Sequence, residues 1–130
     1  GPVIATAHHR QYQAQGRSLV AVQEGVPVGF ALLDAADDAL FIAELSVRRD
    51  RPGQGAGRGL LNAAAARARH NGLAALTLTT FRPVPWNAPF YARLGFEMMT
   101  TLTPELRQKR EEEAAHGLAY GSRCAMRLPL

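Results

Sequence analysis

The sequence predicts an α/β domain in which an antiparallel meander is joined to a βαβ crossover, giving one mixed sheet with a few helices. Three observations predict it. Three apolar runs between residues 18 and 47 are separated only by short turns, the pattern of consecutive antiparallel strands. A fourth run, 74–80, is reached through a glycine-rich loop and an alanine-rich helical stretch, the length of a crossover between parallel neighbours. The chain has 130 residues, of which 47% are hydrophobic and 20% charged, which favours one packed core over disorder or two domains.

Residues 4–15 read as a helix, with Thr6 as a cap and Gly16 just past its end. Residues 18–23 and 27–33 read as strands, and Glu24-Gly25 between them makes a hairpin turn. Asp34, Asp37 and Asp38 mark the next turn, and 40–47 is the third strand. An Arg- and Gly-rich loop, 48–56, leads to a helix over 57–70 that stops at Asn71-Gly72. The strand 74–80 should lie parallel beside 40–47. Pro83, Pro85 and Pro89 then break the chain, and Asn87 caps a short helix running through Leu94 to Gly95. A strand over 96–102, a charged helix opened by Thr103-Pro104 and running to about Ala115, and a last strand over 122–128 complete the chain.

Composition narrows the function. Fifteen basic against 11 acidic side chains give a net charge of +4 and a pI near 10.0, which raises the question of an anionic partner. Lys109 is the only lysine and the other 14 basic residues are arginines. Arginine suits bidentate phosphate contacts, and a GC-rich genome gives the same bias without a functional cause. The lone Cys124 excludes an internal disulfide and a multi-cysteine metal site, and it suits a reducing compartment. His8 and His9 lack further ligands, so no metal is expected. No run approaches the roughly 20 apolar residues of a membrane helix, and no signal-peptide pattern opens the chain. A cytoplasmic protein with no membrane partner is therefore expected.

The most informative segment joins the third strand to the central helix, Val47-Arg-Arg-Asp-Arg-Pro-Gly-Gln-Gly-Ala-Gly-Arg-Gly-Leu-Leu61. Glycines at a strand-to-helix handover let backbone N–H groups approach a ligand. These are the unpaired donors of the helix start, at the positive end of its dipole, and suit a phosphate or pyrophosphate. Arg48, Arg49, Arg51 and Arg58 add positive charge. A Walker A loop is excluded because no Gly-Lys-Ser/Thr is present, and a dinucleotide fold because the next strand ends Thr77-Leu-Thr-Thr-Phe-Arg82 without a carboxylate. A nucleic-acid partner is not expected, since the basic residues gather at this loop and no nucleic-acid motif accompanies them.

Two motifs together resemble the GNAT superfamily of N-acetyltransferases, from about Leu19 to the C-terminus. The first is the acetyl-CoA signature Gln/Arg-x-x-Gly-x-Gly/Ala, read as Pro52-Gly53-Gln54-Gly55-Ala56-Gly57, five residues after the strand-ending Val47 and followed by Leu60-Leu61. Proline stands where Gln or Arg is usual and has no N–H to donate. A register two residues later, Gln54-Gly55-Ala56-Gly57-Arg58-Gly59, matches the pattern literally and sits farther from Val47 than usual. The second motif is Asn87-Ala-Pro-Phe-Tyr91-Ala-Arg-Leu-Gly-Phe96.

The resemblance implies the GNAT acyl-CoA fold with splayed parallel strands. A member usually starts with a strand and a helix before the segment that begins here. The helix at 4–15 corresponds to the second helix, so 1–130 is expected to be one domain lacking its first strand and helix. The implied activity is transfer of acetyl from acetyl-CoA to a primary amine of a small molecule or peptide, by direct attack in a ternary complex and without a metal. A non-catalytic acyl-CoA sensor is the alternative, suggested by Pro52. The acceptor is not legible, and a homodimer is one of the open oligomeric states.

The resemblance also assigns residues. Leu45, Val47, Gly53, Gln54, Gly55, Ala56, Gly57, Arg58 and Asn87 would hold acetyl-CoA, with a backbone N–H near Leu45 donating to the thioester oxygen. Tyr91 would lie near the sulfur. As a phenol, with a reference pKa of about 10, it is the candidate general acid for the departing thiolate; the alternative is a half-buried packing aromatic. Glu44 is the one charge in Leu40-Phe-Ile-Ala-Glu-Leu-Ser-Val47. Among apolar neighbours and facing a cleft it is the candidate base, directly or through water; the alternative is a structurally paired carboxylate. Trp86 and Phe81 belong to an acceptor pocket or to the core.

Overall fold

The computed structural model describes residues 7–48, 50, 55–81, 87–99, 103–115 and 123–130. The expected meander is present as β1 (Ser18–Gln23), β2 (Val26–Ala36) and β3 (Ala39–Val47), after a short helix α1 (Ala7–Ala14). The first turn has φ of 52° at Glu24 and 78° at Gly25, the pair of positive values that a tight two-residue hairpin needs. Helix α2 (Ala56–His70) crosses to β4 (Ala75–Phe81), which pairs parallel to β3. Helix α3 (Asn87–Arg93), strand β5 (Glu97–Met98), helix α4 (Pro104–Ala115) and strand β6 (Arg123–Pro129) follow. The sheet order is β1-β2-β3-β4-β6-β5, so the mixed α/β sheet expected from the sequence is observed.

Strand alternation divides the sheet into two faces. Leu40 and Ile42 of β3 and Leu76 and Leu78 of β4 pack with Leu60, Leu61, Ala64, Ala65 and Ala68 of α2, and Phe90, Tyr91 and Leu94 rest against the same cluster. Alanines at helical spacing let α2 lie close to the sheet, and Ala64 and Ala68 are wholly buried. The opposite face holds Tyr12 of α1 with Phe30 and Leu32, and Leu106 of α4 with Ala36 and Phe41. Helices α2 and α3 thus cover one face, α1 and α4 the other.

Three expectations are corrected. Asp34 does not mark a turn: β2 continues to Ala36, and the turn falls at Asp37, where φ is 60°. A carboxylate fits this buried strand position because Tyr12 Oη and Lys109 Nζ donate to its Oδ2 at 2.7 and 3.0 Å, and Arg17 donates to its Oδ1. The strand expected over 96–102 is reduced to Glu97–Met98, because Phe96 leaves the ladder for the core under α2; residues 100–102 lie outside the described residues. The remaining ends differ by one to three residues, and the first residues of the expected helix 4–15 also lie outside the described residues. Thr103 caps α4 as expected, its Oγ1 accepting from the Leu106 N–H at 3.2 Å. Cys124 is buried, as expected of a small core residue.

Candidate active site

The site begins with a kink in β3. Its register against β2 slips between Leu32, which faces Glu44, and Leu33, which faces Ile42, leaving Ala43 as an extra residue. A bulge bends its strand and strengthens the local twist. The parallel ladder between β3 and β4 ends at the same point, running only from Ala39–Ala75 to Ile42–Leu78. Beyond it β3 stays with β2 through Val47, while Thr79, Thr80 and Phe81 of β4 stay with β6. Among the described residues no strand pairs with the facing edges of 43–47 and 79–81. The result is a wedge between two parallel strands, with backbone donors and acceptors on both sides.

Helix α2 starts beside this wedge. Gly55 is its N-cap, at φ 69° and ψ 19°, with no side-chain capping bond. That left-handed conformation favours glycine, and a Cβ there would meet nothing within 4 Å among the described residues. Gly59 N–H closes the first turn on the Gly55 carbonyl at 2.9 Å, leaving the N–H groups of Ala56, Gly57 and Arg58 without a partner among the described residues. The first turn carries no acidic residue, whereas Arg67, Arg69 and His70 occupy the last turn. The positive end of the helix is therefore uncompensated and suits an anion. A Cβ at Gly57 would lie 3.7 Å from Val47 Cγ2 and 3.9 Å from Phe90 Cζ. The end of β3, the start of α2 and helix α3 thus converge on Gly57.

Of the remaining expected donor-site residues, Leu45 is half-buried against the α2-side core and Val47 is 36% exposed. Arg58 is exposed in the first turn of α2. Arg48 is held by Asp50, its Nε donating to Oδ1 at 3.0 Å, so part of its charge is spent locally. Arg49, Arg51, Pro52, Gly53, Gln54 and Trp86 lie outside the described residues. So do the side chains of His8, His9, Phe81 and Asn87, although Asn87 does begin α3. Among the described residues no three His, Cys, Asp or Glu side chains converge on a point, and no helix is long and apolar enough to cross a membrane.

The two candidate catalytic residues fall on opposite faces. Tyr91 is half-buried on the α2/α3 face, its ring edge-on to Phe90 and Phe96 at centroid distances of 5.2 and 5.6 Å. Glu44 is exposed and faces Leu32 across the ladder, which puts it with Tyr12 and Phe30 on the α1/α4 face. The bulge thereby places Leu45 on one face and Glu44 on the other.

Gly29 is a residue that sequence reasoning missed. A Cβ there would lie 2.7 Å from the Ser46 carbonyl oxygen and 3.3 Å from Leu60 Cδ1, so only glycine lets β2, the end of β3 and α2 approach this closely. The signal was a glycine inside the apolar run of a strand, which marks either a bulge or close packing.

Residues 3–96 match the acetyltransferase (GNAT) family. Among solved structures, the chain is similar to the PaiA N-acetyltransferase of Thermoplasma acidophilum in complex with coenzyme A, at 18% identity and a TM-score of 0.69, covering 94% of this chain and 67% of that one. It is similar to N-acetylglutamate synthase of Neisseria gonorrhoeae, complexed with coenzyme A and N-acetyl-glutamate, at 19% identity and a TM-score of 0.73 over 93% of this chain and 28% of that one. It is similar also to Ard1 of Thermoplasma volcanium, at 18% identity and a TM-score of 0.71 over 94% and 74%. With the family match spanning most of its length and the wedge and glycine-started helix in place, the chain belongs to the GNAT family of CoA-dependent acyltransferases.

Proposed function

We propose that the protein transfers the acetyl group of acetyl-CoA to a primary amine of a small molecule or peptide, by direct attack within a ternary complex. The observation that carries this reading is the wedge beyond Ile42 and Leu78, opening beside the unpaired N–H groups of α2. An extended pantetheine arm matches the free strand edge in the wedge, and a pyrophosphate matches the start of the helix. The residues that would hold the co-substrate are Leu45 and Val47 along the arm, with Gly55, Ala56, Gly57 and Arg58 at the pyrophosphate. Gly53, Gln54 and Asn87 are assigned the same role from the family motif.

In this proposal the amine nitrogen attacks the thioester carbonyl carbon. The Leu45 N–H supports the oxygen as charge develops, and the carbon–sulfur bond breaks. Tyr91 gives its proton to the departing thiolate from the α2/α3 face. Glu44 takes the proton lost by the amine, directly or through water, from the α1/α4 face. The separation of these two side chains across the sheet supports the reading, because a wedge through the sheet is reachable from both sides.

The test is release of free CoA thiol from acetyl-CoA by the purified protein, over a panel of amines, amino acids and peptide N-termini, alongside calorimetric binding of acetyl-CoA. Release with at least one amine is expected. Binding without release across the panel would favour a non-catalytic acyl-CoA sensor, and absence of both would overturn the reading.

A further inference from the structure

On the α1/α4 face, the strands set two rows of side chains beside the wedge. One row is Glu44 and Leu32; the next is Ser46, Phe30 and Val20. Neighbouring rows on one face are two residues, or about 7 Å, apart. Thr79 belongs to this face across the wedge, because its partner Ala125 alternates with Cys124 and Met126 of the α2-side core. Phe30 and Leu32 are buried with Tyr12, whereas Val20 is 51% exposed and Glu44 is exposed. The surface beside the wedge is therefore apolar along β1 and β2, with the Glu44 carboxylate at its edge.

The cations near this surface are committed elsewhere. Arg17 and Lys109 are paired with Asp34, Arg48 with Asp50 and Arg127 with Asp38. Arg10 and Arg107 are exposed. Each lies two residues, or about 200° of helix, from Tyr12 and Lys109, whose side chains reach Asp34 on the sheet, so both project away from it. Glu44 has no ion pair or hydrogen bond among the described residues. Resting on the reading that an amine is acetylated at this wedge, we infer that the acceptor has an apolar body and no carboxylate on the carbon that bears its nitrogen. Its ammonium pairs with Glu44 before losing a proton, and its body lies along the row of Phe30 and Val20. An α-amino acid brings a second carboxylate within a few ångströms of Glu44, and no cation among the described residues stands there to offset the repulsion.

Transfer of labelled acetyl from acetyl-CoA to matched acceptors tests this, with phenethylamine against phenylalanine and isopentylamine against leucine. The members of each pair differ only by the carboxylate. For the wild type, kcat/KM is expected to be at least about tenfold higher for the amine than for its amino acid, the scale of one like-charge contact near a protein surface. Glu44→Gln lowers transfer to both, read under single-turnover conditions, and the ratio should fall to within about threefold. A merely structural role for Glu44 would lower both members alike and keep the ratio. Glu44 is exposed, so the substitution removes no core packing, and thermal melting checks that the variant folds. Amino acids acetylated as well as their amines, transfer to other amines but to neither member of these pairs, or a ratio unchanged in Glu44→Gln overturns this inference and leaves the donor reading intact. Absence of transfer to any amine overturns the underlying reading as well.

Discussion

At the scale of single residues, two glycines do different work. Gly29 is fixed by the protein itself, because a Cβ would press on the Ser46 carbonyl at 2.7 Å. Gly29→Ala should lower stability by about 2 kcal/mol in urea unfolding, the usual cost of overpacking. Gly55 has a left-handed φ of 69°, and a Cβ there would meet nothing within 4 Å among the described residues. Gly55→Ala should cost about 1 kcal/mol of stability from backbone strain. It should weaken acetyl-CoA binding by more than that, because the new methyl group occupies the space beside the helix start. Tyr91→Phe keeps the edge-on packing against Phe90 and Phe96 and removes only the hydroxyl. Steady-state kinetics with a cognate amine should show kcat lowered by roughly ten- to a thousandfold, with little change in KM for acetyl-CoA. An unchanged kcat would remove Tyr91 from the chemistry.

At the scale of elements, Asp34 joins three of them, since its carboxylate accepts from Tyr12 on α1, Arg17 ahead of β1 and Lys109 on α4. Asp34→Ala leaves two cations and a phenol without their shared acceptor and should cost about 2 to 4 kcal/mol in denaturant unfolding, partial solvent access to the cations holding it below a fully buried case. Burial first, and then the neighbouring Asp34 carboxylate, push the Tyr12 phenol up to about 12. A phenol whose pKa is higher folded than unfolded adds stability that is complete below its ordinary value near 10 and lost as pH rises toward 12. Thermal melting from pH 9 to 12 should therefore show a decline that is smaller in Tyr12→Phe.

Helices α2 and α4 and the meander were legible from periodicity, a hairpin turn and a Thr cap. The bulge at Ala43 was not, because a bulge is a property of two strands in register and leaves no mark in one of them. Asp34 misled for a related reason: an aspartate in an apolar run reads as a turn unless its cations, 17 residues before and 75 after it, are known to meet it.

At the scale of the whole molecule, the sheet separates two approaches to one wedge, with α2 and α3 on one face and Glu44 on the other. The family was legible because a glycine-rich motif that begins five residues after Val47 and runs into the helix capped by Gly55 is a local pattern. The surroundings of Glu44 were not legible, because Tyr12 of α1 and Phe30 and Leu32 of β2 are brought to its face of the sheet only by the fold. The most direct test of the central assignment is backbone amide NMR during titration with acetyl-CoA. Residues 45–47 at the wedge and 56–58 at the start of α2 should shift together, with amides of α1 and α4 unmoved. Shifts confined to the α1/α4 face, or none at either segment at saturating acetyl-CoA, would contradict it.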